Sequence, residues 1–554
     1  MIGALGMTVP RQLEFNADVV VVGGGPGGST AAAMLARKGW RVLLFERERF
    51  PRHHVGESLL PASLPVLEEL GVLPAVQAAG FLPKWGATMV WGKDDKPWSW
   101  YFRETNPDHP HAYQVWRPAF DQLLLENSRA RGVEVREGHQ VVELLHADGR
   151  AAGVRYRSDA GHDGTAGARF VVDASGQAAL LGRRLGLRRW DPFFRNLAVY
   201  GYVTGADRLP PPDETNIFIE AHPHGWSWMI PLHTGWTSVG TVVDSRHGQE
   251  RLAKSDLREV FLQQVAEAPH TARLLRDADL VSGPQVVRDW SYTSDRLVGD
   301  GYILVGDAAC FVDPLFSSGV HLALMSGVLA AAYVSTVLKD PGMAEAASQV
   351  YAELYRKEYN HFRTMAQLFY SSNRTAESYF WEARRLLGDP ESLSPRHAFI
   401  HAVAGQPPRG YERVVLARGA APEPFVRNVR AVEAARTARR AQLAAPGASE
   451  ILLAAVPRLA AGVAVKRKPV LGAGEFVWGH VLVTDGYPEG TPCSPLAAQV
   501  VSLIDGRTSV AELLDRLCIG RDSAQHTAIV PAALQTLRIL HVDGTVTGLF
   551  GSGA

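Results

Sequence analysis

Cysteine is nearly absent. Cys310, Cys493 and Cys518 are too few and too scattered for a disulfide framework, and no CxxC pair offers a zinc site, so a reducing cytoplasm is the expected location. Charge of one sign is missing too. Lys plus Arg is 57 and Asp plus Glu is 57, a formal net charge of zero, which removes bulk charge as a reason to bind nucleic acid or an acidic membrane. A long uninterrupted apolar run is also lacking: the most membrane-like stretch, Ile451 to Val465, is short and carries Pro457 and Arg458 in its middle. Met1 to Phe15 has no basic region followed by an apolar run, so it does not read as a secretion leader. Gly 53 and Pro 34 stay below low-complexity levels, while 46% hydrophobic residues suffice for a packed core. What remains is a folded chain, long enough for roughly three to four domains.

Of the segments present, Ala17 to Glu48 says most. Val19 to Val22 is an apolar run suited to a strand buried on both faces, Ser29 to Lys38 favours a helix, and Arg41 to Phe45 returns to strand. Gly23, Gly25 and Gly28 complete GxGxxG at the strand-to-helix turn, where missing Cβ atoms let a pyrophosphate approach the backbone and the helix N-terminus supplies N–H donors. Glu46 ends the second strand, placed to accept hydrogen bonds from a ribose diol. The unit is a dinucleotide-binding βαβ.

Residues 85 to 300 alternate short strands with polar turns, including Ala87 to Trp91, Phe170 to Asp173, Leu197 to Val203, Trp226 to Ile230 and Thr237 to Val243. Ile303 to Asp307 reads as one more buried strand, with a long helix from Ser318 to Leu338. This predicts an α/β chain: a Rossmann-like FAD-binding fold with its first part over 1–84 and its last over 301–341, interleaved FAD-binding and substrate-binding sheet regions over 85–300, and a mainly helical region over 342–475. The tail, 476–554, reads as a small winged-helix-like module, with a boundary at Gly472 to Glu475. Its four Arg and no Lys stand against seven Asp plus Glu, which argues against DNA binding. The arginines of Arg427 to Arg440 read first as a solvated face, with docking of an acidic carrier protein as the alternative.

FVVDASG at Phe170 to Gly176 and ILVGDAA at Ile303 to Ala309 follow the glycine turn in the order found in FAD-binding flavoprotein monooxygenases, which the chain resembles. By that resemblance Asp307 binds the flavin ribityl chain, Arg117 in QVWRPAF meets the FAD phosphates, and Asp173 to Gly176 close the fold behind the cofactor. Two further motifs narrow the likeness to flavin-dependent halogenases. Trp226 to Pro231 matches WxWxIP, and Phe311 to Gly319 matches FxxPxxSxG, which contains Pro314 and Ser317. With VGESLLP at Val55 to Pro61 and a lysine at Lys84, the resemblance covers about residues 17 to 370. It is closest to the halogenases of phenolic, pyrrolic and carrier-linked natural-product precursors.

The resemblance implies that reduced FAD and dioxygen give a flavin hydroperoxide that oxidises chloride to hypochlorous acid. Trp226 and Trp228, two apart on a strand, share a face and can wall the flavin from the organic substrate. Ser317, Ser318 and Gly319 open a helix whose unpaired N–H groups can hold chloride. Lys84 would then deliver the chlorine. Phe316 stands where tryptophan halogenases carry a glutamate, which points to an electron-rich phenol or pyrrole and leaves the acceptor of the ring proton open. No second GxGxxG serves a nicotinamide, so a separate flavin reductase is the expected source of reduced FAD. Asp289, in VRDWSY, offers covalent FAD attachment by the same resemblance, with a surface or capping carboxylate as the alternative. His53, His54 and Glu57 can line the cleft, but their spacing suits no metal, and none is expected. A single-component aromatic hydroxylase and a flavin-binding interaction protein remain the rival readings.

Overall fold

The computed structural model describes residues 15–91, 95–104, 106–288, 291–373, 423–485 and 487–550. They divide into two units, one ending at residue 373 and one beginning at residue 423.

The first unit is built on two sheets. In the eight-stranded sheet, Asp163–Asp173, Phe15–Val22, Val42–Phe45 and Glu134–Arg136 run parallel in that order, with Tyr302–Leu304 beside Asp163–Asp173. Val42–Phe45 is buried along its whole length, as a parallel strand covered on both faces must be. Helices Pro26–Arg37, Arg117–Ala130 and Gly319–Lys339 accompany it. The first and third touch closely: a Cβ on Gly327 would lie 2.6 Å from the Gly27 carbonyl oxygen.

The second sheet has seven strands, in the order Asp279–Arg288, Asn196–Thr204, Thr237–Asp244, Gly225–Pro231, Ile217–His222, Gly86–Val90 and Trp98–Tyr101. Every residue of Gly225–Pro231 is buried. Alternation divides them: Met229 joins the apolar core with Val239, Val243 and Phe261, while Trp226, Trp228 and Ile230 face a cavity.

Two expectations about apolar stretches change. Among the described residues, Gly319–Lys339 is the helix long and apolar enough to cross a membrane, and 83% of its most apolar window is buried inside the first unit. Its hydrophobicity serves packing. Ile451 to Val465 instead runs from helix Ala448–Ala454 through strand Arg458–Leu459 into strand Ala464–Leu471.

The boundary expected at Gly472 to Glu475 is a hairpin turn. Ala464–Leu471 pairs in antiparallel register with Phe476–Thr484, Leu471 opposite Phe476, so the helical region stops short of Lys468 and the sheet runs straight across 475. Gly474 takes φ of 77°, the left-handed conformation this turn requires. Helices Pro495–Leu503, Val510–Cys518 and Ser523–Val542 close over Leu452, Val500, Leu513 and Leu537. Val546–Thr547 pairs with the distant Arg458–Leu459. Two arginines of the Arg427 to Arg440 segment leave the solvated face. Arg436 lies 3.5 Å from Asp543, and Arg439 donates to the Val542 carbonyl at 3.1 Å, cations placed where a helix C-terminus favours them.

Candidate active site

The glycine turn leaves no room for side chains. A Cβ on Gly28 would sit 1.9 Å from the Gly23 carbonyl oxygen, and one on Gly23, whose φ is 102°, would sit 2.4 Å from that of Ala174. Gly25 is the N-cap of helix Pro26–Arg37. Glu46 is buried, and its carboxylate accepts from the Gly24 amide at 2.7 Å and the Glu48 amide at 2.9 Å, so it braces the turn as well as facing the cavity. Asp173 similarly fixes the chain behind the turn through the amides of Ser175 and Leu181.

Arg117 opens its helix and forms a two-pronged pair with Asp121 at 2.8 and 2.9 Å, while a third nitrogen donates to the Val55 carbonyl at 2.7 Å. Asp307 sits in the short turn Gly306–Ala308, and burial pushes its carboxyl up to about 7. Tyr355 and Tyr351 secure this turn from behind, donating to the carbonyls of Gly306 and Leu304.

Gly23, Gly25, Glu46, Arg117 and Asp307 line a cavity of about 810 Å³, whose wall also includes Trp226, Trp228, Pro314, Ser317 and Gly319. A dinucleotide cofactor fits the donor set: a helix N-terminus and glycine turn for pyrophosphate, carboxylates for hydroxyls, and the buried Ser58 hydroxyl, which faces the cavity without a hydrogen-bond partner. Glu57 is fully buried on the same wall. It accepts from the Tyr202 hydroxyl at 2.6 Å and the Gly56 amide at 3.0 Å, and burial raises its pKa above the usual carboxylate value. His53 and His54 line the cavity as expected of the cleft. Among the described residues no cluster could hold a metal.

Trp226 and Trp228 are 1% and 5% exposed, with ring centroids 6.0 Å apart. The Trp228 ring lies over Gly240 on the neighbouring strand, where a Cβ would fall 2.1 Å from it. The Trp228 indole donates to the Ser238 hydroxyl at 3.3 Å, and that of Trp226 to the Tyr370 hydroxyl at 2.5 Å.

In the Phe311 to Gly319 segment, Asp313 caps the turn Pro314–Phe316 by accepting from the Leu315 amide. Ser317 follows with φ of 57°, rare for a residue with a side chain, and helix Gly319–Lys339 begins behind it. The wall of the cavity takes Ser317 and Gly319; the Ser318 side chain is buried between them.

Lys84 ends strand Leu82–Lys84 and is 2% exposed. Its Nζ donates to the Leu59 carbonyl at 3.0 Å and approaches the Ser317 hydroxyl at 3.5 Å, with the Phe102 ring centroid 5.5 Å away. Burial brings the amine down to about 7 by stripping the hydration of its charged form. Lys84 is not on the wall of the flavin-sized cavity; Ser317, which is, stands beside it. Phe316 meets Phe369 edge to face at 4.8 Å, an apolar contact directly before Ser317. Asp289 lies outside the described residues.

A tryptophan halogenase family profile matches residues 103–432, and an FAD dependent oxidoreductase profile matches 18–183. A tryptophan 2-halogenase of Chondromyces crocatus is 36% identical over 378 residues, 68% of this chain and 72% of that one. This chain belongs to the flavin-dependent halogenases. A second member, a 1H-pyrrole-2-carbonyl peptidyl-carrier-protein chlorinase of Pseudomonas fluorescens, is 35% identical over 65% of this chain and 85% of its own. The crystal structure of CmlS, a flavin-dependent halogenase, superposes with a TM-score of 0.73 at 28% identity, covering 98% of both chains. As a flavin-dependent halogenase the chain is an oxidoreductase with FAD as its cofactor, on the α/β fold expected. The residues that sequence reasoning did not single out are Tyr202 and Tyr370, hydroxyls within the cores of strand and helix, where no local motif marks them.

Proposed function

We propose that this halogenase is the two-component type and chlorinates a phenolic or pyrrolic ring of a natural-product precursor, free or tethered to a carrier protein. The observation that carries the reading is the buried, unpaired-by-charge Lys84 amine beside Ser317 and apart from the flavin-sized cavity. When bound, reduced FAD with dioxygen supplies the oxidising equivalents that convert chloride to hypochlorous acid; a reductase partner supplies the reduced cofactor.

The chain's own residues then divide the work. Backbone N–H groups at Gly319 hold the halide at the head of helix Gly319–Lys339. Trp226 and Trp228 keep the ring from the oxidant, so an oxygen atom is not transferred to carbon. Burial disfavours the Glu57 anion and raises its pKa above the usual carboxylate value. Lys84, with a substantial neutral fraction near pH 7, can accept chlorine: amine and hypochlorous acid give N-chloroamine and water, and the ring then takes chlorine as a proton leaves and the amine is restored. With Phe316 in the glutamate's place, the ring must itself supply the electron density, which favours phenols and pyrroles. The pyrrole chlorinase relative acts on a carrier-bound ring, which supports that option here.

The test is mass spectrometry of phenol, pyrrole and carrier-loaded substrates incubated with FAD, a flavin reductase, NADH and chloride. A chlorine isotope pattern is expected with the wild type and none with Lys84→Ala, while FAD binding persists in both. Chlorinated product at wild-type yield from Lys84→Ala, or halide-independent hydroxylation by the wild type, would refute the reading.

A further inference from the structure

One hydroxyl joins the two halogenase motifs. Tyr370, near the end of helix Ala344–Ser372, is fully buried. Its oxygen accepts from the Trp226 indole at 2.5 Å and donates to the Asp313 carboxylate at 3.1 Å. Asn196 adds longer contacts to the same two acceptors, 3.3 Å to the Tyr370 hydroxyl and 3.4 Å to Asp313. The other Asp313 oxygen caps Leu315, in the turn that leads to Ser317. A continuous chain of hydrogen bonds therefore runs from the indole wall, through Tyr370 and Asp313, to the backbone that presents Ser317 to Lys84.

We propose that Tyr370 is a positioning residue that couples oxidation to halogenation by fixing the Trp226 indole relative to the Ser317 turn. The inference rests on the halogenation reading above. An indole in a strand core can rotate about two side-chain torsions; an N–H bond to a hydroxyl that is itself held by a carboxylate selects one setting. Because the network ends at the Leu315 amide, in the turn that leads to Ser317, the wall and the delivery point move together. Loss of the hydroxyl leaves the indole N–H without this acceptor and the carboxylate without this donor, so the wall no longer keeps a fixed distance from the turn.

The test compares Tyr370→Phe, Trp226→Phe and their double variant with the wild type, and takes Tyr359→Phe as control. Tyr359 lies on the same helix and is likewise buried. With reduced FAD, dioxygen, chloride and the best substrate of the phenol and pyrrole panel, chlorinated product and hydrogen peroxide are measured per FADH2 oxidised. Tyr370→Phe should bind FAD as the wild type does but yield roughly tenfold less product per FADH2, with peroxide rising in step, the scale that one lost bond to a charged network allows. The double variant should be no worse than either single, since both remove the same bond. Tyr359→Phe should stay coupled. If Tyr370→Phe does not fold, Trp226→Phe carries the test from the other end of the bond. Wild-type coupling in both single variants overturns the inference and leaves the halogenation reading intact; a wild type that releases only peroxide overturns both.

Discussion

Replacing Lys84 by Met should abolish halogenation and stabilise the protein. The amine stands at about 7 against an ordinary 10.5, a shift of about 3.5 units, and at about 1.4 kcal/mol per unit burial of the charge costs up to roughly 5 kcal/mol at neutral pH and below. Two hydrogen bonds, to Leu59 and more weakly to Ser317, offset about 1 kcal/mol each, leaving a net gain for Lys84→Met of roughly 2–3 kcal/mol. The sign depends on pH. Between about 7 and 10.5 the unfolded chain binds a proton on this amine that the folded chain does not, so wild-type stability gains from this group as pH rises. Lys84→Met has no such contribution. Its advantage should be greatest at pH 7 and below and shrink steadily towards pH 10. Urea unfolding of both proteins at several pH values reads the difference directly. A variant no more stable than wild type at pH 7, or a difference independent of pH, would show that the amine stays charged and hydrated, and the neutral nucleophile would fall with it.

Two further outcomes follow from the cofactor cavity. Gly28→Ala forces a methyl against the Gly23 carbonyl 1.9 Å away, so the glycine turn must open and FAD titration should show affinity lost by at least tenfold, with the far sheet unaffected in its circular dichroism. Glu57→Gln keeps the shape of a buried acid but cannot hand over a proton. Since burial raises the Glu57 pKa above the usual carboxylate value, the wild-type pH–rate profile should carry an ionisation displaced to higher pH, and the variant should lose it.

The parts of this site that the sequence made legible are those written in consecutive residues. GxGxxG after an apolar run, WxWxIP on one strand and FxxPxxSxG at one helix start each fix their geometry locally, and the structure places all three on one cavity. What the sequence hid depends on distance along the chain. Trp226 and Tyr370 are 144 residues apart and Asp313 and Tyr370 are 57 apart, so no spacing rule links them. Lys84 could be named by likeness, but its neutral tendency depends on Leu59 and Phe102 closing around it. The Val-Lys-Arg-Lys-Pro stretch at 465–469 read as part of a helical region because its strand character comes from the partner it meets, Phe476–Thr484.

Gly240 gives the tryptophan partition a dependence that pairwise sequence matching would miss. The six-membered ring of Trp228 lies in the space a side chain at 240 would fill. Positions 228 and 240 are therefore not free to vary separately: even a methyl group at 240 collides with the indole, so the partition would have to be rebuilt from other residues.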